Sequence, residues 1–424
     1  MSSGISAEPD PLTAAAQACE RAMASAAARA PSLGTPDLAI AFVSSHHAWS
    51  MRAIGSHVQR LTGASRLIGV TAEAVLGGGQ ELEGLPGISV LVAWMPGVTL
   101  TPFLIDDLIV KSEDDAEREE RRLASLMGVD DNLRAILLFL DPQSAPLSRL
   151  LPAMNRARGP EREDAPTPPI IGGMASGSRT PDGGGNVMLL DDRIMDRGGI
   201  GLSLSGEIRV DAIVSQGCRP VGPNLVVTKC RGNLVLELGG KPAMAVLQEL
   251  IEEATEEERN VLRRGLLIGR VVDEYKERFG VGDYLIRGIM GVDQTRGGLA
   301  VGEVVRVGQT LRLHVRDAAT ASADLAMLLD GQKLHTRPAG ALLFTCNSRG
   351  RRLFPEPSHD VGAIQRAFRQ SPGGAEMAKG GTVIASDSSM LPLAGFFAAG
   401  EIGPVGRDAY LHGHSASIAI FRER

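Results

Sequence analysis

The segment Phe344-Thr345-Cys346-Asn347-Ser348-Arg349-Gly350 carries the side chains best suited to chemistry. Cys346 follows an apolar run, residues 341–344, and precedes Arg349, Arg351 and Arg352. Nearby cations favour thiolate over thiol and would make this sulfur nucleophilic. His359 or His412 would be its base if the fold brought one close. The plainer reading is a small apolar residue at a strand end, because free cysteines are usually buried and inert. Arg349 and Arg287 each offer the planar fork that grips a carboxylate through two bonds. Glu401 is placed to meet an amino group, and Glu73 is expected at the analogous place earlier in the chain. For each of these the alternative is a fold-fixing charge, since perturbed ion pairs are often only structural. Arg316-Asp317 has the same alternative, as an ion pair at a strand end.

Other constellations fail on spacing. His412 and His414 would share one face of a strand, but a metal needs a third ligand, for which Glu401 or Asp408 would have to serve. No metal is expected. His46-His47 are adjacent, so their rings diverge, and they read as part of a turn. Gly239-Gly240-Lys241-Pro242 lacks the first glycine of a phosphate loop and has proline where Ser or Thr would hold magnesium. No GxGxxG follows a strand and opens a helix, so a dinucleotide fold is unsupported. No cofactor is expected.

The elements that must position these residues show a recurring order. The end of the chain reads as strand 393–397, a glycine turn Gly400-Glu401-Ile402-Gly403-Pro404-Val405-Gly406, and strand 415–421. Before it stand strand 341–344 and a helix over 360–368. The same order of strand, helix, strand, glycine turn, strand fits 37–44, 49–61, 66–70, 71–79 and 87–94. It fits again over 134–140, 145–157, 169–172, a glycine-rich turn, and 199–205. Three repeated β-α-β-β units are the expectation, against the alternative that any glycine-rich α/β chain reads this way. Between the second and third lie strands at 209–215, 225–230 and 234–238, a helix entered at Pro242 and continuing over 244–264, strands at 284–291, 298–304 and 310–316, and a helix over 318–329. Residues 1–34 read as a polar tail followed by an alanine-rich helix over 12–30. The charge run 113–122 reads as a solvated helical face with i,i+4 pairs. Residues 159–169, charged and with four prolines, read as a flexible surface connection.

The chain has 424 residues, more than one ordinary core holds, so two domains are expected. The fold class expected is α/β or α+β, with short mixed strands, outer helices and two domains sharing a cleft. Fifty-one glycines imply many tight turns. A net charge of −6 argues against nucleic acid as a partner. Cys19, Cys218, Cys230 and Cys346 have no CxxC spacing, which fits neither zinc nor a disulfide framework, and a reducing, cytoplasmic setting is expected. No apolar run is long enough to span a membrane, and no signal peptide is recognised.

The Gly400–Gly406 turn followed by Leu411-His412-Gly413 resembles the C-terminal signature of FIST domain proteins. Segments 344–350, Leu285-Ile286-Arg287-Gly288-Ile289 and Val70-Thr71-Ala72-Glu73 add to the resemblance, which covers residues 36–424. It implies an N-terminal segment 1–34, a FIST N-like domain over 35–231 and a FIST C-like domain over 232–424. It further implies a sensory protein that binds a small, amino-acid-like ligand and signals through a protein partner. The short tail does not resemble the F-box that precedes animal members. A pocket is expected around Thr71, Glu73, Cys346, Arg349, Gly350, Glu401, Gly403 and Gly406, with Arg287 and His412. Replacing Arg349 with alanine is expected to abolish binding and leave the fold intact. Two other readings stand beside this one: an enzyme using Cys346 as nucleophile, and a scaffold without a small ligand.

Overall fold

The computed structural model describes residues 1–29, 34–106, 113–159, 166–178, 185–262, 265–369 and 390–423. Two compact units divide the chain. Unit 1 comprises Met1–Val214, Ala326–Leu411 and Ala416–Arg424, and unit 2 comprises Ser215–Leu325 and His412–Ser415.

Unit 1 uses one motif three times. The first copy runs β1 (Ser2–Ser6), α1 (Pro11–Arg29), β2 (Leu38–Ser44), α2 (Met51–Thr62), β3 (Arg66–Ala72), a hairpin of β4 (Val75–Gly77) and β5 (Gln80–Leu82), and β6 (Ile88–Ala93). The second runs β7 (Val98–Ile105), α3 (Glu113–Leu126), β8 (Leu133–Leu140), α4 (Leu147–Ala157), β9 (Ile170–Met174), a hairpin of β10 (Met188–Leu190) and β11 (Arg193–Met195), and β12 (Gly199–Gly206). The third opens with β13 (Ile208–Gln216) and is then interrupted by unit 2. That insertion holds β14 (Cys218–Arg231), β15 (Leu234–Leu238), β16 (Lys241–Pro242), α5 (Ala243–Glu253), α6 (Glu256–Leu262), β17 (Leu266–Val271), β18 (Tyr284–Asp293), β19 (Gly298–Val301) and β20 (Thr310–Arg316). The third copy resumes with α7 (Ala318–Gln332), β21 (Gly340–Cys346), α8 (His359–Phe368), β22 (Leu393–Ala398), a hairpin of β23 (Glu401–Val405) and β24 (Asp408–His412), and β25 (Ser415–Glu423).

Strand pairing is the same in all three copies. The strands flanking the inner helix are parallel: β2 with β3, β8 with β9, β21 with β22. The last strand returns antiparallel to the first of these: β6 on β2, β12 on β8, β25 on β21. The opening strand then forms the far edge: β1 on β6, β7 on β12, β13 on β25. The repetition expected from sequence is therefore structural. The hairpins are exchanged in a cycle. The first copy's β4 pairs with β22 of the third, the second's β10 with β3 of the first, and the third's β23 with β9 of the second.

Matching residues explain the shared geometry. Gly69, Gly172 and Gly395 lie opposite Ala41, Leu138 and Leu343 on the parallel neighbour. A Cβ at these glycines would come within 2.8, 1.9 and 1.9 Å of the facing carbonyl oxygens. One residue further on stand Phe42, Phe139 and Phe344, whose rings form a near-equilateral triangle with centroids 5.9, 5.8 and 6.3 Å apart. Phe396 adds a fourth ring. Such edge-to-face contacts contribute roughly 0.5–1.5 kcal/mol per pair beyond area burial. This is the centre of unit 1, where residues of all three sheets share one apolar core. The opposite faces of the sheets are covered by helices, α1 and α2 on the first and α3 and α4 on the second. Covered on both faces, β2, β8 and β21 read as unbroken apolar runs.

Several expectations change. The polar start of the chain is a strand, and Ser2, Gly4, Ile5 and Ser6 of β1 are buried. Gly4 permits this, since a Cβ there would meet the Ala18 carbonyl of α1 at 2.1 Å. The turn expected over 71–79 contains β4, and the glycine turn 400–406 is mostly β23. Only Gly406 of those three glycines has a left-handed backbone (φ +59°). Gly403 serves packing instead, because a Cβ would meet Val214 Cγ2 at 2.4 Å and Ser417 Oγ at 2.6 Å. The helix expected over 244–264 is, over its described residues, two helices broken at Ala254, whose backbone is extended, and residues 263–264 lie outside the described residues. In the connection 159–169, residues 160–165 lie outside the described residues.

Unit 2 is a closed antiparallel barrel. Its order is β14-β20-β17-β18-β19-β15, closed by pairing of β15 with β14, with β16 attached to β15. Closure leaves the six main strands without a free edge. Val227, Val235, Ile268, Leu299, Leu311 and Leu313 fill its core beneath α5. Among the described residues, no helix in either unit is long and apolar enough to cross a membrane.

Candidate functional site

The third copy turns sharply after β21. Residues 347–349 lead into a short 3-10 turn, Gly350–Arg352, and then into α8. Arg349 lies fully buried in this turn. Its Nε and Nη2 donate to Oδ2 and Oδ1 of Asp360 at 2.8 Å each, a bidentate pair. Thr345 Oγ1 donates to the same carboxylate at 2.8 Å, and His359 Nδ1 lies 3.0 Å from Oδ1. The guanidinium sits 5.2 Å from the Phe354 ring centroid, and Phe354 stacks on His359 at 3.5 Å. Burial alone would raise the Asp360 pKa. The charge and hydrogen bonds of Arg349, helped by His359 and Thr345, override it and hold the carboxyl well below the ordinary range.

The hairpin of the first copy supplies the opposing wall. Glu81 of β5 donates its N–H to Ser358 Oγ at 3.0 Å and accepts from the Val361 N–H at 3.0 Å, capping the start of α8. Its Oε2 is buried without a partner. Burial, and then the charge of Asp360, push its pKa up to about 8. Glu83 accepts from the Arg351 N–H at 3.0 and 3.1 Å, and burial raises its pKa as well. Gly350 makes room for that carboxylate. Its φ is +54°, and a Cβ would lie 2.6 Å from Glu83.

The expected site residues divide accordingly. Cys346 ends β21, is buried, and accepts a hydrogen bond from Ser348 Oγ at 3.1 Å. Glu401 is fully buried on β23, and its charge is among those that raise the Arg349 pKa. Glu73 joins the rim through Arg352, at 2.6 Å, and Arg352 also donates to the Asn347 carbonyl at 2.8 Å. Cys346, Arg349, Gly350, Glu401 and Glu73 thus belong to one region. Arg349 Nη1 and Asn347 Oδ1 are buried there without a partner.

Other expectations fail on geometry. Arg349 cannot offer its fork to a ligand carboxylate, because Asp360 fills it. Removing Arg349 would strand Asp360 as a buried charge, so an intact fold is not expected for that variant. Thr71 is a joint of the fold. Its Oγ1 donates to the Gly185 carbonyl and accepts from the Val187 N–H, both at 2.7 Å, fixing the chain just before β10. Gly403 is a packing position and Gly406 the tip of the β23–β24 hairpin. Glu73 is not the counterpart of Glu401: matching Gly69 with Gly395 aligns Glu73 with Ala399 and Val75 with Glu401. Arg287 and His412 belong to unit 2. There Arg287 is engaged by Glu303 at 3.1 Å, a carboxylate shared with Arg270 at 2.7 Å. His414 has φ +61°, which breaks the strand alternation that would align it with His412. Asp408 lies 3.4 Å from Arg158. His47 is buried in a 3-10 helix, with Nε2 3.2 Å from the Glu8 carbonyl. Among the described residues no cluster of three metal-ligating side chains occurs.

Glu81, Glu83 and Asp360 are the site residues that sequence reasoning missed. Asp360 had one local signal, an acid in the first turn of a helix three residues before an apolar position. Glu81 and Glu83 had none, since their partners lie about 270–280 residues away.

Three α/β copies with exchanged hairpins, interrupted by a barrel, define a two-part architecture with a buried charged junction. Sequence comparison matches it: residues 37–241 fit the FIST N domain and residues 243–404 the FIST C domain. The chain belongs to the FIST family, whose domains are associated with sensory signal transduction. It is similar to an uncharacterized protein of Mycobacterium tuberculosis, 37% identical over 422 residues, 99% of this chain and 98% of that protein. It is also similar to an uncharacterized protein of Mycobacterium bovis, 36% identical over 423 residues, covering 99% and 97%.

Proposed function

We propose that this chain is a cytoplasmic sensory protein that binds a small amino-acid-like ligand at the end of β21 and passes the signal to a protein partner. One observation carries the ligand-binding part. Arg349 is completely buried, yet its Nη1 donor has no partner, and Asn347, two residues before it, buries an acceptor in the same state. Buried polar groups are almost always paired, so such exceptions mark places where a partner is missing. A carboxylate accepts from Nη1, and an ammonium group meets Asn347 Oδ1 beside the carboxylate of Glu401. Cys346, Ser348 and Gly350 complete the surroundings. Family membership supports the sensory role.

The test is a thermal-shift screen against amino acids, related carboxylates, nucleotides and divalent metals. A ligand that binds only the native state raises the melting temperature with concentration. A selective rise with one amino-acid-like compound is expected. A flat response to all amino acids and carboxylates contradicts the reading and favours a scaffold without a small ligand.

A further inference from the structure

A surface cavity of about 540 Å³ lies elsewhere in unit 1, beside the β23–β24 hairpin. Its volume falls in the range of small-molecule sites. Val210, Asp211 and Ala212 of β13 line it on one side, and Pro166, Pro169 and Pro404 give it apolar walls. Gly406, with its left-handed backbone, turns the hairpin so that Arg407 lines the cavity. Gln332, the last residue of α7, lines it as well.

Two of the lining residues carry a buried polar atom without a partner: the Nε–H donor of Arg407 and the Oε1 acceptor of Gln332. Arg407 spends Nη2 on the Gly159 carbonyl. Arg422 ties the wall together, donating to Asp211 and, at 3.0 Å, to the Gln332 carbonyl. Arg209 Nε also donates to Asp211, at 2.9 Å. The acid of the cavity is therefore already committed to two arginines. An ammonium group would meet Arg407 and these cations with no carboxylate left for it. A carboxylate suits Arg407, because a charge-assisted bond is about twice as strong as a neutral one. Gln332 Oε1 calls for an uncharged N–H.

We propose that this cavity binds a small N-acylamino acid, its carboxylate on Arg407, its amide N–H on Gln332 and its apolar part against the prolines. The site is separate from the β21 region and does not depend on the sensory reading.

Calorimetric titration of the full chain tests it, with N-acetylalanine, propionate, alanine and phosphate as probes. N-acetylalanine is expected to bind at least tenfold more tightly than propionate, alanine or phosphate. Arg407→Gln should weaken N-acetylalanine at least tenfold. Gln332→Leu removes an acceptor that has no protein partner, so it should fold normally, weaken N-acetylalanine about tenfold and leave propionate unchanged. No heat from N-acetylalanine, or equal affinity in wild type and both variants, overturns the proposal. Alanine binding that Arg407→Gln leaves untouched, with N-acetylalanine silent, also overturns it while leaving the sensory reading standing.

Discussion

Two of the three hairpin junctions in unit 1 share a topology and differ in chemistry. Where β10 and β11 dock on β3, the contact is mostly apolar. Leu189 of β10 is buried against α2 at Gly55, where a Cβ would meet Leu189 Cδ2 at 2.3 Å. The polar groups there are fold-fixing, with Asp191 accepting from the Leu67 N–H at 3.0 Å and pairing with Arg66 at 2.9 Å. Where β4 and β5 dock on β22, the same place holds Glu81, Glu83, Asp360 and Arg349. The first junction shows that the fold does not require buried charge at a hairpin crossing. Buried ion pairs are often no more stabilising than apolar replacements, so the charges of the second junction point to a role beyond holding the hairpin.

The largest expected effect comes from breaking the charged junction. Arg349→Ala should cost about 3–5 kcal/mol, as for other buried pairs that lose one partner. Replacing Arg349 and Asp360 together by leucine should recover much of that loss in denaturant unfolding. Full recovery would identify the pair as dispensable for folding, while no recovery would make it structural after all. At the apolar junction Leu189→Ala should cost about 2–4 kcal/mol through the cavity it leaves. That loss should be the same at pH 5 and pH 9.

Glu81 sharpens the contrast through pH. Its pKa is about 8 in the folded protein, against an ordinary value of 4.5. A raised carboxyl contributes stability that is fully present below the unfolded value and is lost as pH rises through the folded one. Wild-type stability should therefore fall between pH 4.5 and 8. Glu81→Gln should flatten that decline, matching wild type at pH 4 and exceeding it in stability at pH 9. Melting curves across this range decide the matter, and an unchanged slope in Glu81→Gln would rule out Glu81 as the cause. The smallest effect belongs to the rim. Glu73→Ala removes only a half-exposed ion pair with Arg352, worth about 0–1 kcal/mol and less in high salt.

Much of unit 1 was legible in the sequence because its inner strands are continuous apolar runs and its helices carry a helical period. The parallel pairs around Gly69, Gly172 and Gly395 follow from such runs. The exchanged hairpins were not legible. β4 and β10 are three residues long, too short for alternation to show, and their partners lie in other copies. The glycines around β23 suggested a turn, yet Gly403 is there to let Ser417 and Val214 approach. At the site, Cys346 and Arg349 stood out by type, but the Asp360 that fills the Arg349 fork did not. Composition shows which side chains can grip a carboxylate, and only the fold shows which are already engaged.

The central claim is that the charged junction serves a ligand. The most direct measurement is a calorimetric titration of the amino-acid-like compound giving the greatest thermal shift, into wild type and Asn347→Ala. This substitution keeps the backbone bond from the Asn347 N–H to the Ala398 carbonyl and removes the side-chain amide, whose Oδ1 acceptor has no partner. Unliganded melting should be unchanged, and affinity should fall at least tenfold, about 1.4 kcal/mol. Equal affinity in the two proteins would contradict the account.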